Sequence, residues 1–231
     1  MNYMIRRPEA LSSRSTRSHA RHASSKLSRS ALPITTAPLA QDLQKQLATE
    51  LLDLNRGIFG VRAEQKAVIH DLIEKLEALN PLSNPSENLE QVEGRWILKY
   101  STITIMGTKR SKLGLREFVK VGDMYQNIDL ATGKAVNTVD FSVTGFGLVR
   151  GQFKINASFA SAGGKRVNVA FDDAVLEPEQ LQKLFQKNYD LLLSIFNPDG
   201  WLDITYVDDA VRVGRDSKGN VFYLERCALE P

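Results

Sequence analysis

Residues 92–102, VEGRWILKYST, mark the point where this chain changes its period. Upstream, apolar residues recur every three to four positions; from Gly94 onward they alternate. The alternation predicts a β-strand opening at Gly94, with Trp96, Leu98 and Tyr100 on one face. A bulky residue at the head of a first strand plugs the end of a small barrel, and a glycine before it lets the chain turn in tightly.

Downstream the period of two persists. QFKINASF (152–159) turns Phe153, Ile155 and Phe159 one way and Gln152, Lys154 and Asn156 the other. RVNVAFD (166–172) and VDFSV (139–143) repeat the pattern, and glycine-bearing turns at 131–134, 144–147 and 162–165 separate the runs. WLDITYV, AVRVG and VFYLER follow, for about eight strands in all. One apolar and one wet face per strand is the antiparallel signature. Eight such strands close most naturally into a barrel that is filled by side chains or holds one small ligand; a two-sheet sandwich is the alternative. Strict alternation gives a candidate lining of Trp96, Leu98, Tyr100, Phe141, Phe153, Ile155, Phe159, Val169 and Phe171.

Upstream, PLAQDLQKQLATELLDLN (38–55) puts Leu39, Leu43, Leu47, Leu51 and Leu54 on one helical stripe. VRAEQKAVIHDLIEKLEALNP (61–81) does the same with Ala63, Ala67, Val68, Leu72, Ile73, Leu76 and Leu79, and Asn80-Pro81 ends it. The short link NRGIFG predicts a helical hairpin. A further helix is predicted near 178–196, with Leu181, Leu184, Phe185, Leu192, Ile195 and Phe196 as its stripe, capping the barrel. As a lid it would hinge at FNPDG (196–200).

Charge divides the 231 residues unevenly. Residues 1–40 hold six arginines and Lys26 against Glu9 alone, so they carry +6 of the net +3 and leave residues 41–231 at −3. The basic pI is therefore no argument for nucleic acid. A Ser/Arg-rich, acid-poor head without an apolar block matches an organelle transit peptide over 1–40, followed by a single domain over 41–231. No apolar run approaches a membrane-spanning helix, and the lone Cys227 makes no internal disulfide.

Catalytic chemistry is sparse. Beyond the head the only histidine is His70, mid-helix, so neither a nucleophilic triad nor a metal site is expected, and catalytic residues and cofactors are both read as none. Asp172-Asp173 and Asp208-Asp209 are strand neighbours whose side chains point to opposite faces, poor acid–base couples. The acid-free run GTKRSKLGLR gathers Lys109, Arg110, Lys112 and Arg116 after the first strand, where they form either a solvated loop or a basic rim for a diphosphate, anionic headgroups or an acidic partner.

Gly94-Arg95-Trp96 resembles the Gly-x-Trp that opens lipocalin-type barrels. The stretch GWLDITYVDDAVRVGRDSKGNVFYLER resembles more: the C-terminal signature of the plastid-lipid-associated proteins, or plastid fibrillins, carried here by Tyr206, Asp208, Arg212, Arg215, Gly219, Phe222 and Leu224. LIEKLEALNP and VEGRWILKYST extend the likeness over residues 45–227, with Val207 in place of a commoner leucine. STITIMGTKRSKLGLREFVKVGD and KNYDLLLSIFNPDGWLDITYVDD are similar to the stromal subgroup linked to plastoquinone biosynthesis.

The resemblance implies a mainly β, lipocalin-like barrel in a plastid (stromal, or associated with plastoglobules or thylakoids) that binds a prenyl lipid or prenyl diphosphate. It also implies solanesyl diphosphate synthase as a docking partner, and the sparse chemistry of the body points to no enzymatic activity. The alternatives are a structural coat of plastid lipid droplets (plastoglobules) and a small-barrel enzyme acting on isoprenoids. A coat needs an exposed apolar patch, and the outward residues of 152–158 and 166–172 are mostly polar.

Overall fold

The structure is a computed structural model that describes residues 36–104, 119–143, 149–179, 181–182 and 198–227. The chain divides into Met1–Ala31 and Leu32–Pro231, and every described residue belongs to the second unit.

Two helices come first, α1 (Thr36–Glu50) and α2 (Ala63–Glu77). Eight strands follow: β1 (Gly94–Ser101), β2 (Val119–Asp129), β3 (Lys134–Val143), β4 (Val149–Ser161), β5 (Arg166–Glu177), β6 (Gly200–Val207), β7 (Val211–Asp216) and β8 (Val221–Arg226). Each pairs antiparallel with the next, and β8 pairs back to β1, closing the barrel in chain order. The sandwich is thereby excluded. Strand β2 is the one that the alternation did not resolve separately.

Because neighbours are antiparallel, the ends of the barrel differ. At one, the floor, lie the β2–β3, β4–β5 and β6–β7 turns and the entry into β1. Val92 is buried there against Trp96 and Ile128, with Leu82 and Leu89 packed on them. At the other, the rim, Ile58 and Leu181 join Phe141, Val143 and Leu176. Leu181 heads the stripe of the predicted capping helix, but residues 183–197 lie outside the described residues, as do the 144–147 turn and all four basic residues from Lys109 to Arg116.

Gly94 answers to two constraints. Its φ of +114° strains any residue with a side chain, and a Cβ would sit 3.0 Å from the Arg226 guanidinium. That guanidinium lies 4.1 Å over the Trp96 ring, so the glycine makes room for the plug that the tryptophan forms. Gly57, in the link between the helices, also has positive φ, and a Cβ there would meet the Ser101 carbonyl at 2.5 Å. The close approach holds the link against the end of β1.

The hairpin lies on one side of the barrel. Leu43, Leu47, Ile69, Leu72, Ile73 and Leu76 form a single core with Tyr100, Tyr206, Val211, Val213, Val221 and Tyr223, from β1 and β6–β8. The helical stripes are rotated from the expectation: Leu39 and Val68 are exposed, Ala63 and Ala67 also face solvent, and Ile69 is fully buried. Leu51 and Leu54 lie past the end of α1 and are only partly buried, as is Leu79 past α2. α1 starts at Thr36, ahead of the boundary expected at residue 40.

Two bulges decide which residues face the helices. Between Leu98 and Tyr100 the register with β8 slips, so Lys99 is extra and Tyr100 turns outward opposite Tyr223. Tyr100 is therefore not an interior residue, contrary to strict alternation. Between Ile204 and Tyr206 the same device, at Thr205, turns Tyr206 out under α1. A third slip, at Asp172 in β5, leaves both Asp172 and Asp173 on the exposed face, where opposite faces were expected.

Candidate functional site

Inside the barrel is an apolar cavity of about 200 Å³. Inward positions of every strand supply its walls: Leu98 of β1, Met124 of β2, Val139 of β3, Ile155 and Phe159 of β4, Val169 of β5, Ile204 of β6, Gly214 of β7 and Phe222 of β8. Leu98, Ile155, Phe159 and Val169 thus lie on the cavity wall. Phe141 and Phe153 are buried in the rim-side core, with Phe171 packed against it, and Trp96 is buried at the floor. Tyr100 is the only member of the alternation set placed outside, under the hairpin, where its hydroxyl lies 3.4 Å from His70 Nε2.

The signature residues separate by role. Arg215 reaches out to α2, where Nε and a terminal nitrogen each donate to Glu77 at 2.8 Å, while Thr205 Oγ1 donates to the same carboxylate at 2.6 Å. The Tyr206 hydroxyl donates to Asp208 at 2.6 Å, and Gln44 of α1 donates to Asp208 at 2.7 Å. The other Asp208 oxygen accepts the main-chain N–H of Ala210 and Val211 and so shapes the β6–β7 turn. Burial and the Asp208 carboxylate push the Tyr206 phenol far up, so it stays a donor at any working pH. Gly219, at φ +80°, serves the β7–β8 turn. These residues clamp the hairpin to the barrel or shape turns.

Arg212 differs from them. It sits at an inward position of β7, wholly buried, and borders the cavity. Its guanidinium lies 4.9 Å from the Trp96 ring centre and donates to Gln126 Oε1. Desolvation, with the nearby Arg226 cation adding to it, pulls its pKa down to about 9, which still leaves it charged at neutral pH. Gln126 Nε2 donates in turn to Asn137 Oδ1 at 2.8 Å. Both amides border the cavity. Trp96 Nε1 is satisfied by the Val92 carbonyl at 2.8 Å, which fixes the ring as the floor.

Sequence reasoning placed Arg212 only as a signature residue and passed over Gln126 and Asn137. A signal was present. Met124, Gln126 and Ile128 alternate, and a glutamine among inward apolar residues asks for a partner.

A closed barrel with an apolar cavity and this C-terminal signature invites comparison with known proteins. The PAP_fibrillin family model matches residues 41–225. The chain belongs to the PAP_fibrillin family. It is 30% identical to the "Light-induced protein, chloroplastic" of Solanum tuberosum, over 79% of this chain and 66% of that protein. It is 28% identical to the "Chromoplast-specific carotenoid-associated protein C1, chromoplastic" of an Oncidium hybrid cultivar, covering 80% and 69%. Identity is also 28% to the "Probable plastid-lipid-associated protein 2, chloroplastic" of Arabidopsis thaliana, covering 79% and 69%. Like these fibrillin relatives, the protein is plastidial; two of the three names describe a carotenoid-associated and a plastid-lipid-associated protein.

Proposed function

We propose that this fibrillin is a non-enzymatic, lipocalin-like carrier that holds one prenyl lipid in its barrel and presents it to a prenyl diphosphate synthase of plastoquinone biosynthesis. The observation that carries the reading is the apolar cavity inside a closed barrel. At about 200 Å³ it falls short of the ~300–1,000 Å³ typical of pockets that enclose a whole ligand. A long prenyl chain is therefore only partly enclosed, and its remainder emerges where a partner enzyme can take it. Each enclosed CH₂ contributes about 0.8 kcal/mol, so six give a gross ~5 kcal/mol. The residue set we assign to the ligand is Leu98, Ile155, Phe159, Val169 and Phe222. The Lys109–Arg116 cluster, as a docking site, and the transit peptide at 1–40 belong to the same proposal, which puts the mature protein in the stroma.

Titration of the full chain with prenyl quinones, read by tryptophan fluorescence, tests it. Saturable quenching at one ligand per chain is expected, with Trp201 bordering the cavity and Trp96 at its floor. Failure to saturate in a folded sample overturns the carrier reading. Co-purification of the synthase with the wild-type chain, lost when Lys109, Arg110, Lys112 and Arg116 are neutralised together, tests the docking.

A second reading, contact with the surface of lipid droplets, is favoured by the helical hairpin. Leu52 is 67% exposed and Phe59 43%, and both lie in the link between α1 and α2. Flotation with neutral-lipid emulsions that is abolished by Leu52→Ser with Phe59→Ser supports this contact; flotation unchanged by the pair rules it out.

A further inference from the structure

The chemistry of the cavity is uneven. Its walls are hydrocarbon, but at the floor one guanidinium and two carboxamides meet. Arg212 is 2% exposed, and among the described residues it pairs with no carboxylate. The other arginines of this region are provided for: Arg215 grips Glu77, Arg166 grips Asp203, and Arg226 donates to the main-chain carbonyls of Gln91, Glu93 and Asp209. The indole of Trp96 supplies a π face to Arg212 but no oxygen, and Arg226 on the same indole adds a second positive charge.

The direction of the hydrogen bonds follows from donor and acceptor counts. An arginine only donates, so the Gln126 oxygen must face it. Gln126 then has its nitrogen left for Asn137, whose oxygen accepts. Asn137 Nδ2 is left without a partner among the described residues. The chain of bonds therefore ends in N–H groups at both extremities, on Arg212 and on Asn137. Apolar walls over a floor of unspent donors and an unneutralised cation suit one ligand chemistry: a hydrocarbon tail with a compact, acceptor-only anionic head.

We propose that the cavity takes an amphiphile head-down, a carboxylate or phosphate seated on Arg212 and the Asn137 amide, with its tail leading to the rim. This rests on the lipid-carrier reading and adds to it the class of head group and the orientation. It makes Arg212 and Asn137 ligand-binding residues and Gln126 the residue that positions Arg212.

The test uses the full chain and four ligands with one tail: dodecanoate, dodecyl phosphate, dodecanol and methyl dodecanoate, titrated by tryptophan fluorescence below their aggregation concentrations. The two anions are expected to bind at least tenfold more tightly than the neutral pair, and the better anion identifies a carboxylate or a phosphate source. Asn137→Leu should weaken the anions about three- to tenfold and the neutral ligands by clearly less, since a charged acceptor makes the stronger hydrogen bond. Arg212→Met should bring all four within threefold of one another; should that variant not fold, the Asn137→Leu and wild-type series decide alone. In Trp201→Phe, 2-bromododecanoate should quench Trp96 more strongly than 12-bromododecanoate does. Equal affinity for anions and neutral ligands, or the reverse order of quenching, overturns head-down binding while leaving the lipid carrier intact. Saturable binding of none of the four overturns both.

Discussion

The two sides of the barrel solve the problem of their outer surface in opposite ways. On β3–β5 the outward residues are mostly polar and hold each other across the strands. Lys134 and Ser158 donate to Asp172, Asn156 to Asp173, Lys154 to Glu177 and Gln152 to Asp140. Water covers that wall. On β6–β8 and β1 the outward residues include Tyr206, Val211, Val213, Val221, Tyr223 and Tyr100, and the helical hairpin covers them. Strand β7 shows the consequence, with its first four residues all buried because both faces are occupied. A wall that faces water can be read by alternation; a wall packed on both sides cannot.

The hairpin wall should therefore carry most of the mutational sensitivity. Leu76→Ala, which empties a fully buried site between α2 and the barrel, is expected to cost about 3 kcal/mol in urea unfolding. Removing the clamp should cost less. Glu77→Ala strands Arg215 and Thr205, and solvent at Arg215 reduces the loss to about 1.5 kcal/mol by the same measurement.

Acid should loosen the same wall selectively. Burial, with Lys66 and Arg215 nearby, lowers the pKa of His70, so the unfolded chain takes up its proton at higher pH than the folded one. Stability is then full above the unfolded value of 6.5 and declines as pH falls below it. His70→Gln should flatten that decline when melting temperature is followed from pH 8 to 5. On the open wall, Asp172→Asn should leave the melting temperature within experimental error, since its ion pair with Lys134 is solvated. A large loss there, or none at Leu76, would reverse the contrast between the two walls.

What the sequence conceals follows the same division. Tyr100 and Tyr206 alternate in phase with the inward residues Leu98 and Ile204, yet both point outward, because Lys99 and Thr205 are inserted against β8 and β7. A bulge depends on the partner strand's register, which no single strand records. Both of these bulges lie where the hairpin needs a large side chain beneath it. Val68 and Ile69 show a similar limit in α2: either residue can head an apolar stripe, and the barrel surface selects Ile69.

The sequence by itself determined the kind of elements, because hydrophobic period is local chemistry: two amphipathic helices, then alternating strands from Gly94 to Arg226, with β2 alone not resolved separately. It also carried the family, through Trp96 and the run from Tyr206 to Phe222. Only the tertiary structure decided which signature residues clamp the hairpin and which one enters the barrel. Arg212 and Arg215 differ by three positions in one strand, and so face opposite ways; barrel closure gives the first a cavity and the helices give the second a carboxylate. It also brought Gln126 and Asn137 beside Arg212 from strands far apart in the chain, since closure and register are properties of the whole sheet.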